Sequence, residues 1–158
     1  MNIDDLKEEI GIESGLIDET INELLSLKKD IGDREPTVRE RTAAAAFLAQ
    51  WYNGVENILK RLYRLYRYYN IAIPVGDNWH IELVKGVSES PREGLPLLIN
   101  HELFTDLAPF RKFRHVVHHG YGFQLEWDRM LPGIEQIPTI FVRFKEKIER
   151  LIATLENK

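Results

Sequence analysis

Cysteine is missing from this sequence altogether. That absence rules out disulfides, thiolate nucleophiles and cysteine-ligated zinc together. Long apolar runs are missing too, and no stretch approaches the roughly 18–20 residues that span a bilayer. The opening Met-Asn-Ile-Asp-Asp is acidic with no hydrophobic segment behind it, so no secretory signal is expected. There is no low-complexity tract, no internal repeat and no persuasive run of alternating strand residues. A glycine-rich phosphate loop, a nucleophilic serine triad and the His-Glu-x-x-His zinc pattern are all lacking. So are the Glu-x-x-His pairs of di-iron bundles. The expectation left standing is a cytoplasmic, all-α chain of 158 residues with no membrane contact, read as one domain.

The charge is uneven. A net charge of −4 does not suit a protein that coats nucleic acid in general. Residues 1–36 nevertheless hold eleven acidic and four basic side chains, a balance of about −7, while residues 37–69 hold six basic and two acidic, about +4. A basic surface confined to one region suits a single phosphate-binding site better than a long track along a duplex.

Apolar spacing predicts a helix from residue 3 to about 31, through Ile10, Leu16 or Ile17, Ile21 and Leu24 or Leu25. Gly11 and Gly15 weaken it early, so a short arm followed by a helix is an alternative, and residues 1–33 read as an addition at the N-terminus. Gly32 to Pro36 forms the stop. From Thr37 to about residue 70 runs the strongest signal: Ala44, Phe47, Trp51, Val55, Ile58, Leu62, Leu65 and Tyr69 alternate steps of three and four. Helices are also expected over residues 78–87, over 96–107, and from Ala108-Pro109 to a stop at Gly120 and Gly122. The last helical region, from Gln124, is expected to break at Pro132-Gly133 and Pro138, and to show Val142, Phe144 or Lys145, Ile148 and Leu151 or Ile152 on its apolar side.

One stretch stands out: Phe110-Arg-Lys-Phe-Arg-His-Val-Val-His-His-Gly-Tyr121. Between positions 111 and 119, six of nine residues are cationic or imidazole: Arg111, Lys112, Arg114, His115, His118 and His119. One reading is a solvated basic helix face, with Val116 and Val117 turned to the core. A second is a metal site, since His115 and His119 have the i,i+4 spacing that shares an ion. Arg111, Lys112 and Arg114 would repel that cation, so no metal or other cofactor is expected. A third is metal-free cleavage of RNA. There a neutral imidazole removes the 2′-hydroxyl proton, a second acid protonates the leaving 5′-oxygen, and a guanidinium holds the charge on the phosphorane. Histidine titrates near physiological pH, and arginine matches phosphate oxygens with two parallel donors. On an ideal helix Arg114 and His119 lie roughly 140° apart. A helix ending at Gly120, or a second subunit, would have to bring them together.

Two further features bear on this. Glu56 falls on the apolar side of its helix, beside Val55 and Leu59, where it needs a cation in the core or at an interface and could orient Arg114 or a histidine. Tyr63, Tyr66, Tyr68 and Tyr69, alternating with Arg64 and Arg67, are either amphipathic packing or a platform for stacking bases.

The segment Arg114-His-Val-Val-His-His119-Gly-Tyr121 resembles the signature of the HEPN superfamily, in the Arg-x4-His-x-Tyr form of HepT-like toxins. Trp51-Tyr-Asn-Gly-Val-Glu-Asn-Ile-Leu-Lys60 resembles that family's second helix, an apolar stripe around a buried Glu. Trp79-His-Ile-Glu-Leu-Val-Lys85 and Arg92-Glu-Gly-Leu-Pro96 resemble its short third-helix region. The resemblance spans roughly residues 40–130. It implies an up-and-down helical bundle that dimerises, with both motifs facing a shared cleft. It implies a metal-independent endoribonuclease with Arg114 and His119 in the catalytic positions and His115 in the polar position after the Arg. His118, Arg111, Lys112 and Glu56 are then supporting or phosphate-binding residues. The partners implied are an RNA substrate and a minimal nucleotidyltransferase antitoxin that silences the toxin by attaching AMP to Tyr121. The extra histidines at 115 and 118 and the long acidic N-terminal helix depart from the family pattern. A non-catalytic interaction or nucleotide-binding module of the same fold is the alternative.

Overall fold

Asn2 starts the first helix: its side-chain oxygen accepts the backbone N–H of Asp5 at 2.8 Å, satisfying one of the orphan donors of the first turn. The computed structural model describes residues 2–66 and 101–156, with the backbone alone at positions 63, 65, 66, 101 and 155. Helix α1 then runs unbroken over Ile3–Ile31, so Gly11 and Gly15 do not divide it. Both glycines face open space. Their propensity cost, about 1 kcal/mol each relative to Ala, is offset by Leu6, Ile10, Ile17, Ile21, Leu24 and Ile31, all buried on the opposite side. Gly32 ends the helix with φ 57°, a left-handed conformation that glycine adopts without strain, and its N–H returns to the Lys28 carbonyl at 3.0 Å.

Thr37 and Glu40 then form a reciprocal cap. The Glu40 N–H donates to Thr37 Oγ1 at 3.1 Å and the Thr37 N–H donates to Glu40 Oε1 at 2.9 Å. Helix α2 follows over Val38–Tyr66 and buries a broad face that includes Ala44, Trp51, Val55, Ile58 and Leu62. The continuation expected to about residue 70, the helix expected over 78–87, the first residues of the one expected over 96–107, the family-like stretches beginning at Trp79 and Arg92, and the tyrosines at 68 and 69 lie outside the described residues.

Helix α3 spans His101–His119 with Pro109 inside it, so the separate start expected at Ala108-Pro109 is a correction. Pro109 removes one backbone hydrogen bond, but Leu103, Leu107 and Phe110 bury on one face across that point and hold the helix together. Gly120 ends it, as its spacing predicts. A single 3-10 turn, Gly122–Gln124, leads to helix α4, Trp127–Glu156. Here too the expected breaks at Pro132 and Pro138 do not occur. Each interior proline costs about 3 kcal/mol. Met130, Ile134, Ile137, Ile140, Phe141, Phe144, Ile148 and Leu151 form one buried stripe through both positions, and each such side chain contributes about 1.5–3 kcal/mol. Val142, expected on that stripe, is instead half exposed.

Directions follow from the residues that meet. Glu13 pairs with Arg61 while Ile17 lies against Gly54, so α1 and α2 are antiparallel. Arg114 meets Asn53 while Gly122 lies against Thr42, which sets α3 antiparallel to α2. Arg143 reaches Glu102 and Asp106 across α3 and α4, and Lys7 pairs with Glu156 across α1 and α4. The described residues therefore form an all-α, up-and-down four-helix bundle around one core, with no strand. None of their helices is long and apolar enough to cross a membrane.

Candidate active site

The opposite charges of the first two helices meet each other. Arg61 pairs with Glu9 at 3.2 Å and with Glu13 at 3.1 Å, Arg64 pairs with Glu9 at 3.3 Å, and Asn57 donates to Glu13 at 3.0 Å. These pairs draw part of the basic charge of residues 37–69 onto α1. Two of the six cations in that stretch, Arg61 and Arg64, are answered by acids of α1.

On α3 the apolar face sets which cations turn inward. Leu107 and Phe110 are buried, Phe113 and Val117 pack on the core, and Val116 is 48% exposed. Val116 and Val117 thus part company, because consecutive helical residues are about 100° apart. Arg114 lies at the edge of the buried face and points across to α2. Its Nε donates to Asn53 Oδ1 at 2.7 Å and lies 3.3 Å from Glu56 Oε1. The Glu56 carboxyl is only 1% exposed. Burial pushes it up to about 7, against the opposing pull of Arg114 first and then Lys60. Tyr52, one turn before Glu56 on α2, is buried with its hydroxyl pushed upward by desolvation first and by Glu56 second. A guanidinium held by a neutral amide and a buried carboxyl cannot swing as a surface arginine does.

The remaining sequence-selected residues face outward. His115, His118 and His119 are exposed, and the His115 and His119 rings lie 4.5 Å apart between centroids, tilted by 46°. Lys112 is exposed, while Arg111 lies over the Phe104 ring at 5.9 Å. Tyr121 is 75% exposed, with its backbone fixed: its N–H donates to the Gln124 side chain at 3.0 Å and its carbonyl accepts from the Gln124 N–H at 2.9 Å. Since α3 stays helical through His119, Gly120 does not swing that imidazole round to Arg114. Arg114 reaches α2; the ring contact of His119 is with His115. On this continuous helix the two motif residues stand five positions apart, about 140° around the axis.

Asn53 was not singled out by sequence, though a signal was there. Asn53 and Glu56 sit three apart, two polar residues on the core side of a helix otherwise lined by Trp51, Tyr52, Val55 and Leu59. A polar pair so placed calls for a partner on the facing helix, and Arg114 is that partner.

Residues 43–155 match the family described as HepT-like protein. The chain belongs to the HepT-like family, within the HEPN superfamily. No curated protein and no solved structure matches it. The HepT-like span covers most of α2, all of α3 and nearly all of α4 and leaves out α1, the acidic helix packed against α2 and α4. Within that span lie Asn53, Glu56, Arg114, the three exposed histidines and Tyr121, so every residue of this cluster belongs to the HepT-like part of the chain.

Proposed function

We propose that this HepT-like chain is a metal-independent endoribonuclease, the toxin of a toxin–antitoxin pair, acting in the cytoplasm as a homodimer on RNA. The observation that carries the reading is the immobilised guanidinium of Arg114, set beside a buried carboxyl, five residues before an exposed imidazole on the same helix. Holding a charge in that position costs desolvation. A preorganised cation that later meets an anionic phosphorane gives that cost a purpose. His119 is the proposed general base. It takes the 2′-hydroxyl proton, the 2′-oxygen attacks phosphorus, and the bond to the 5′-oxygen breaks as a second acid, His115, supplies its proton. Arg114 neutralises the phosphorane oxygens, with His118, Arg111 and Lys112 drawing the RNA backbone in and Glu56 and Asn53 positioning the guanidinium.

The divergence of Arg114 and His119 within one chain is the reason for the homodimer: the complete site takes the arginine from one copy and the imidazole from the other. Tyr121 projects from a fixed backbone, which suits modification by an antitoxin, and a minimal nucleotidyltransferase transferring AMP is the proposed partner. The decisive test incubates purified protein with RNA in EDTA. Cleavage is expected from wild type and a loss of at least a hundredfold from His119→Ala; no cleavage by wild type, or equal cleavage by the variant, ends the reading. The exposed apolar side chains Val116, Tyr121 and Phe123 favour the second reading, an interaction or nucleotide-binding module without catalysis. Intact binding of RNA with no cleavage in that assay would support it.

A further inference from the structure

The outward side of α3 ends in two imidazoles set against each other, His115 and His119, one turn apart with ring centroids 4.5 Å from each other. We propose that this pair binds a divalent transition-metal ion, Cu²⁺, Ni²⁺ or Zn²⁺, and that the ion is a reversible inhibitor rather than a cofactor. The inhibitory half of this rests on the ribonuclease reading; the ion site does not.

Three features support the site. Imidazole is a fitting ligand for these ions, and two rings already in contact lose little freedom on closing around one. The arginines that would repel a cation are drawn off. Arg114 is tied to Asn53 and Glu56 on α2, and Arg111 lies over Phe104, two turns back along α3. Of the three basic neighbours only Lys112 lacks such a tie among the described residues. Finally, His119 is the last residue of the helix, where unpaired carbonyls place the negative end of the helix dipole and favour bound positive charge. Among the described residues no group of three His, Cys, Asp or Glu side chains converges to hold an ion, so water completes the coordination. Such a site is weaker than a closed structural one and exchanges with the surroundings. An ion on His119 occupies the nitrogen lone pair that would accept the 2′-hydroxyl proton, which stops the proposed chemistry without blocking the fold.

The test titrates untagged, chelator-stripped protein with copper, nickel and zinc chlorides in a calorimeter. Wild type is expected to take up one ion per chain at this site, Cu²⁺ more tightly than Ni²⁺. His115→Ala and His119→Ala should each weaken binding tenfold or more, and His118→Ala should stay within twofold. Absence of saturable binding, or affinity unchanged from wild type in either of the first two variants, would overturn the site. In the RNA assay, Zn²⁺ should suppress cleavage and EDTA restore it; cleavage unchanged at saturating Zn²⁺ removes the inhibitory role. Saturable binding by a protein that cuts no RNA keeps the ion site and removes both the ribonuclease reading and the inhibition.

Discussion

Glu56 is the residue whose environment has most to say. Unfolded, its carboxyl titrates near 4.5; folded, burial raises it to about 7 even with Arg114 alongside. The folded chain therefore holds a proton that the unfolded chain releases over that interval, and stability attributable to Glu56 falls as pH rises through it, then levels off. The size is on the order of 3 kcal/mol at most. Replacing Glu56 by Gln keeps the shape and removes the titration. Urea unfolding of both proteins should show the Gln variant gaining on wild type between pH 5 and pH 8, by a few kcal/mol. A constant difference across that range would mean that the carboxyl is not buried as described. Asn53 bonds the same guanidinium without titrating, so it contributes to geometry and not to this pH dependence.

At the level of elements, the turn after α3 decides where Tyr121 is presented. A Cβ on Gly122 would collide with the Thr42 side chain, so only glycine lets the 3-10 turn lie directly on the start of α2. Thr42 cannot easily yield, because its hydroxyl donates to the Val38 carbonyl at 2.8 Å. Gly122→Ala should destabilise the protein by roughly 1–3 kcal/mol through overpacking. Combined with Thr42→Ala the loss should shrink by at least half, a coupling that a double-mutant cycle in thermal unfolding reads directly. Additive effects would place the turn away from α2. The prolines carry the complementary lesson. Pro109, Pro132 and Pro138 read as boundaries along the chain, yet all three sit inside helices. Local backbone preference is worth a few kcal/mol, and a continuous buried stripe on the same helix outweighs it.

For the molecule as a whole, the proposed ribonuclease makes a prediction about which subunits supply Arg114 and His119. If each site joins the two residues across subunits, Arg114→Ala and His119→Ala proteins are inactive alone but complement each other. Mixed dimers then contain one site with both native residues, and activity should return to about a quarter of wild type, since half of randomly mixed dimers are heterodimers with one site of two. The readout is RNA cleavage after mixing under conditions of subunit exchange. No recovery, with heterodimers confirmed by mass, would place the two groups in one subunit or in no site at all. Helix α1 has a separate part: its Glu9 and Glu13 pair with Arg61 and Arg64 of α2 and tie the two helices together.

Apolar periodicity was enough to find α1 and the start of α2, because burial of one helical face dominates their energetics and leaves its spacing in the chain, while the glycines marked the stop after His119. The basic cluster was legible for the converse reason: charges and imidazoles crowded together make poor core. Three-dimensional packing settled the rest. It joined helices through their prolines, turned Val116 and Val142 outward, and matched the acids of α1 to the cations of α2. It also selected Asn53, whose role depends on a helix 61 positions away in sequence. Contacts between distant segments leave no period in a single sequence, and one buried polar pair can be answered by many partners until the helices are laid side by side.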